Sequence, residues 1–211
     1  MMASTHALLG MALALPVVVG APELAPVAIL AGLVGGLLPD VDLYVGHRRT
    51  LHYPVYGWLA AIPAIAAALV APSAVTVGLA IALTAAALHA ATDVAGAGLE
   101  LRPWEGGSDH AVYSHYHDRW LTARRWVRYD GSPEDLGLAS VAGVAVIGLA
   151  AEPAGPIAWG PVGGLLAVST VYVLLRKSLA DLAVRLVRYV PASLTGHVPD
   201  RYLESSSAGS R

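Results

Sequence analysis

Apolar residues fill the chain in six blocks, roughly His6–Gly20, Leu24–Leu38, Val55–Ala71, Ala74–Ala95, Leu136–Ala151 and Ile157–Leu175. Polar, Gly- or Pro-marked breaks separate them. None of the blocks carries a polar stripe at the 3.6-residue period that a surface helix of a soluble bundle needs. They are therefore predicted to be helices that are apolar all round, an all-α polytopic membrane protein of about six transmembrane helices. Several fall short of the ~20 residues that cross a full hydrocarbon core. Taken singly, the 15-residue blocks also fit buried soluble helices or re-entrant hairpins.

Composition favours the membrane reading. Of the 211 residues, 56% are hydrophobic and 13% charged, against about a quarter charged in ordinary soluble domains. There is no Phe, but there are 22 Gly, and small residues let membrane helices approach closely. Cysteine is absent, so thiolate ligation is excluded and any metal has to be held by His, Asp or Glu. The net charge of −2 says nothing about nucleic acid, because the distribution of charge matters more than its sum, and no nucleic-acid partner is indicated.

The distribution of charge orients the helices. All thirteen Lys and Arg residues lie in Asp40–Pro54, in Gly96–Asp135 or from Arg176 onward, while Gly20–Glu23, Ala71–Ser73 and Ala151–Pro156 carry none. The positive-inside bias puts the basic side, with both termini, in the cytoplasm. Residues 1–20 contain no Lys or Arg, so the first block is expected to be a retained helix of the cell membrane, not a signal peptide. The expected organisation is one membrane-embedded domain, 1–190, with a cytoplasmic loop at 96–135 and a flexible polar tail at 191–211.

Against this apolar background a few polar residues need explaining. His6 opens the first block, Asp40 and Asp42 close the second, His47 and His52 follow in the next loop, and His89 and Asp93 lie at the end of the fourth. All seven fall at the cytoplasmic end. Asp42 has a structural alternative, an ion pair with Arg48 or Arg49. His89 and Asp93 interrupt an Ala/Leu run, where an ionisable side chain is costly and marks function by default. Their i, i+4 spacing puts both on one helix face, where they can address one ion. An imidazole with a carboxylate suits Zn, Mn or Fe(II) better than Ca. A hydrogen-bonded His–Asp staple between helices is the alternative.

A second group, Asp109, His110, His115, His117 and Asp118, has a less specific spacing. Arg119–Tyr129, with Trp120 and Trp126, is expected to lie as an amphipathic segment on the membrane surface, its Arg residues on lipid phosphates. The segment Arg176–Tyr189 reads the same way.

An early His, then Leu37-Leu38-Pro39-Asp40-Val41-Asp42, then His47-Arg48 with His52 five residues after His47, then Leu88-His89 with Asp93 closing a later block, occur in that order. This combination resembles the YdjM/DUF457 family of membrane-bound proteins described as metal-dependent hydrolases, over about residues 1–105. Tyr53 stands where that family usually has a serine. The resemblance implies a divalent metal held among His6, Asp40, His47, His52, His89 and Asp93. Among these, His52, His89 and Asp93 are the first-choice ligands, with Asp42 as catalytic base or support. It also implies a hydrolase, and the Arg-rich loops at the same face point to an anionic substrate, a phosphoester or lipid headgroup. The rival expectations are a non-catalytic metal-binding scaffold and a cation or proton transporter.

Overall fold

The computed structural model describes residues 1–199 and 201–203. Of the tail expected from 191, residues 200 and 204–211 lie outside the described residues. Each of the six apolar blocks folds as helix. The first is α1 (Ala3–Leu13) and α2 (Leu15–Gly20), broken at Ala14 because Pro16 lacks an N–H and its ring crowds the preceding turn. Then come α3 (Ala25–Leu37), α4 (Tyr56–Val70), α5 (Ala74–Thr92), α6 (Pro133–Ala154) and α7 (Pro156–Val187). Ser73 and Thr76 form a reciprocal capping box that starts α5, satisfying two otherwise orphaned groups. Five stretches, Ala3–Gly20, Pro22–Tyr44, Ala74–Ala95, Pro133–Ala150 and Pro156–Val187, are long and apolar enough to cross a membrane, while α4 has only 15 residues.

Backbone-to-backbone contact holds the centre together. A Cβ on Gly10 of α1 would lie 2.1 Å from the carbonyl oxygen of Gly32 on α3, and the reverse holds equally. A Cβ on Gly35 would come within 2.2 Å of the Ala82 oxygen on α5, and one on Gly36 within 2.3 Å of the His6 oxygen. Gly32 and Gly36 make a small-xxx-small ridge, which lets the helix backbones meet closely. α3 thus sits between α1 and α5, α6 packs on α1 and α7, and α4 lies outermost against α5. Leu8, Met11, Ile29, Val146 and Val162 fill the seam. The outward faces leave Leu69, Val141 and Leu174 largely exposed.

The helices alternate in direction. The three short connections between α2 and α3, α4 and α5, and α6 and α7 therefore share one end, and the long loops share the other. At the long-loop end Asp135 accepts from Thr5 Oγ1 at 2.7 Å and from the Met2 backbone N–H at 2.8 Å, tying α6 to the start of α1.

Two segments depart from the sequence reading. Arg119–Tyr129 is not one amphipathic segment. Its first part is β2 (Arg119–Thr122), antiparallel to β1 (His110–Ser114), with Tyr113 opposite Trp120, and the rest is irregular. Aromatic and β-branched residues on facing strands supply the pairing. Arg176–Tyr189 is mostly a continuation of α7 to Val187 and not a separate surface segment. The continuation is possible because Arg176 is neutralised: its guanidinium makes two bonds to Asp130, at 3.0 and 3.1 Å, and another to the Leu101 carbonyl. Burial disfavours the Asp130 carboxylate, yet Arg176 and the Tyr172 hydroxyl hold its pKa below the usual value.

Candidate metal centre

The local chain geometry aims four side chains at one point. α3 ends at Leu37 and a 3-10 turn, Leu38–Tyr44, carries Asp40 and Asp42. The following loop turns on Gly46 (φ +78°) and Arg48 (φ +59°) and delivers His47, Arg48 and His52. The left-handed conformation at Arg48 costs about 1 kcal/mol. It sends the side chain inward, where its terminal nitrogen donates to the Ala97 carbonyl at 2.8 Å. The last turn of α5 brings His89, and Asp93 caps that helix.

Asp40, His52, His89 and Asp93 each offer one ligand atom, and these atoms all lie within 4.8 Å of one another. His52 Nε2 and His89 Nε2 are 3.2 Å apart. Asp93 Oδ2 is 3.4 Å from the first and 3.5 Å from the second. Asp40 Oδ1 is 3.8 and 3.5 Å from the same two atoms. Ligand bonds of ~2.0–2.1 Å set tetrahedral edges of about 3.4 Å; these five separations are 3.2–3.8 Å and all four atoms lie within 4.8 Å, so the cluster could hold a metal ion.

Both histidines are pre-set for ligation. His89 Nδ1 donates to the Gly36 carbonyl at 2.6 Å, and His52 Nδ1 donates to Asp42 Oδ2 at 3.1 Å. A carbonyl and a carboxylate can only accept, so each ring keeps its proton on Nδ1 and presents the Nε2 lone pair. Two such lone pairs 3.2 Å apart repel unless a proton or a cation lies between them. Three of the four residues are almost wholly buried, while the Asp40 side chain is 20% exposed.

All seven residues singled out in the sequence join one network, but not in one role. His6 stands behind Asp93, donating from Nε2 to Oδ1 at 3.0 Å, and its ring stacks on His89 with centroids 3.7 Å apart. His47 bonds through Nδ1 to Asp42 Oδ1 at 3.0 Å and is 4.0 Å from Asp40. Burial lowers the His47 pKa and Arg48 lowers it further, against the pull of Asp42. Burial would lower that of His52 as well, but Asp42 and Asp93 outweigh it and the net shift is upward. Asp42 is fully occupied by His47, His52 and the Leu51 N–H. It sits on the Nδ1 side of His52, where its contacts orient that ring. It pairs with neither Arg48 nor Arg49. Asp42→Asn is expected to lower metal affinity about 10–100-fold, the usual effect of losing a ligand's orienting partner. Titration of the folded variant with Zn²⁺ against a competing chelator would read this, and unchanged affinity would refute it.

Arg48 was missed as a site residue. Its Nε lies 3.2 Å from Asp93 Oδ2, and the Met1 amino group donates to Asp93 Oδ1 at 2.8 Å. The buried Asp93 carboxylate needs countercharge, and a guanidinium flanked by His47 is the available sequence signal. The second histidine group is no metal site among the described residues. His115 Nε2 donates to the Arg49 carbonyl, His110 stacks on Trp120, His117 Nδ1 bonds Ser114, and Asp109 pairs with Arg125. With the Tyr113 N–H on the Arg48 carbonyl, these contacts make the β1–β2 hairpin a brace for the ligand loop. No family model, no curated protein and no solved structure matches the chain.

Proposed function

We propose that the chain is a six-span protein of the cell membrane that holds a divalent metal at its cytoplasmic face and hydrolyses a phosphoester there. The carrying observation is the pair of Nε2 lone pairs facing two carboxylate oxygens at 3.2–3.8 Å. The motif order shared with YdjM/DUF457 proteins supports the hydrolase class. Every Lys and Arg among the described residues lies at the long-loop end, which supports the orientation. His89 is 15 residues along α5 from Ala74, about 22 Å of helix. In a core of ~30 Å this length supports a cluster toward one interface, whereas transporter sites lie near the midplane.

When bound, the ion would act as a Lewis acid, polarising a scissile phosphoryl group and acidifying a water. The chain's own residues do the rest. His52 and His89 are locked in the ligating tautomer by Asp42 and Gly36. Asp93 is held by His6 and Arg48. Asp40 opens the cluster to the space where a substrate can reach it. The burial of three ligands drawn from the end of α5 and from the loop before α4 favours a second reading, in which the metal only pins those segments together.

Removing metal is expected to lower the unfolding temperature in detergent by several degrees, since saturation at a hundred times Kd contributes about 2.7 kcal/mol. Melting curves with and without chelator check this, and identical curves would count against a bound ion. Metal-loaded protein is then screened against p-nitrophenyl phosphate, phospholipids and peptides. Turnover that is lost in His89→Ala supports the hydrolase. Failure of every class in metal-loaded protein leaves the pinning role.

A further inference from the structure

Asp40, the exposed member of the ligand set, lines a cavity of about 610 Å³, within the roughly 300–1,000 Å³ of ligand pockets. The cavity is elongated. One wall is a stripe along α7, from Leu165 and Val168 through Tyr172 and Arg176 to Leu179 and Ala183, about 27 Å of helix. Its apolar end lies in the stretch of α7 that is long and apolar enough to span a membrane. Its polar end is lined by Asp40, His47, Arg48, Glu100 and Asp130, with Arg176 at the same level.

A second observation points to a ligand. Both carboxylate oxygens of Glu100 are buried and have no hydrogen-bond partner among the described residues. A buried acceptor left unmade costs about 1–3 kcal/mol, and more when charged, so a donor from a bound molecule would relieve it. The approach is apolar too. Val168 is 64% exposed on the stripe, and Leu37 and Leu43, either side of Asp40 in sequence, line the same cavity. A small water-soluble substrate does not need so apolar a lining.

We propose that the cavity holds a membrane-embedded phospholipid-class amphiphile. Its acyl chain lies along the α7 stripe, and its phosphate sits at the polar end, which Arg48 and Arg176 line. A headgroup ammonium or hydroxyl donates to Glu100. As a substrate assignment this rests on the metal-dependent hydrolase reading; as a binding site it stands alone. The amphiphile enters sideways from the bilayer past Val168, and its phosphoester reaches the ligand cluster at Asp40.

The test uses the full chain in phosphatidylcholine nanodiscs doped with a phosphatidylethanolamine bearing a diazirine at one chain end, photolysed and mapped by mass spectrometry. The expected result is labelling of the α7 stripe about fivefold above that of Val141 and Val144 on the outer face of α6, the equivalent of ~1 kcal/mol of preference. Val168→Trp is expected to cut stripe labelling by a similar factor, with α6 labelling and metal content unchanged. Leu179→Trp tests the other end of the stripe, and Glu100→Gln is expected to lower stripe labelling severalfold. Equal labelling of stripe and α6, or stripe labelling indifferent to both Trp variants, overturns the proposal. Labelling requires no turnover. Selective labelling without hydrolysis therefore sinks only the hydrolase reading, and hydrolysis of p-nitrophenyl phosphate without selective labelling sinks only the cavity assignment.

Discussion

Asp93→Ala is expected to strip the metal and destabilise the fold in one step. Four-ligand sites gain roughly 10–16 kcal/mol from their ion, so one lost ligand costs about 3 kcal/mol, or on the order of a hundredfold in affinity. Asp93 also faces Arg48 at 3.2 Å and His6 at 3.0 Å in a fully buried setting. Removing it leaves a buried guanidinium uncompensated, which costs about 3–5 kcal/mol. His52→Ala makes the informative comparison, because it deletes a ligand without orphaning a cation. Metal content should fall in both variants, while chelator-treated protein should melt much lower only for Asp93→Ala. Full metal occupancy in Asp93→Ala would remove that residue from the site.

Gly32→Val should have a comparably large effect without touching a polar atom. The new Cβ would lie 2.1 Å from the Gly10 carbonyl oxygen, a backbone atom that can move only if α1 and α3 separate. Overpacking a tight core costs about 1–3 kcal/mol and more where the backbone is the obstacle. Separation would also carry His6 away from Asp93 and loosen Gly36 from His89, so metal affinity should fall with stability. Gly164→Val on α7, where nothing lies within 4 Å of the added Cβ, is the control and should change neither. Thermal unfolding and zinc titration of the pair decide it. A Gly32→Val protein as stable as its parent would mean that the α1–α3 contact is not what sets the site.

Much of this architecture could be read from apolar blocks alone, since a helix that is apolar on every side leaves little ambiguity in a chain so poor in charge. What hid from the pattern depended on tertiary partners. The last turns of α7 look like a separate basic segment until Asp130, Tyr172 and Trp104 are placed around Arg176. The β1–β2 hairpin pairs strands of five and four residues, too short to show a period of two. At the site, the spacing of His89 and Asp93 and the isolation of the seven polar residues pointed to one cluster. Which of them face inward was not legible, because it turns on ring tautomers set by distant acceptors such as the Gly36 carbonyl. Arg48 hid for a related reason. A basic loop residue and a buried counterion look alike until the backbone folds back at φ +59°.

The outermost helix, α4, has one further effect. Its 15 residues rise about 22 Å, well below the ~30 Å of a typical hydrocarbon core. A bilayer meeting so short an apolar segment thins around it, at a cost of fractions of a kcal/mol per Å of mismatch. α4 begins at Tyr56, four residues after His52, so its long-loop end is also the end nearest the cluster. Local thinning there would lower the headgroup layer toward the mouth of the site, so this short outer helix would bring the membrane surface to the cluster.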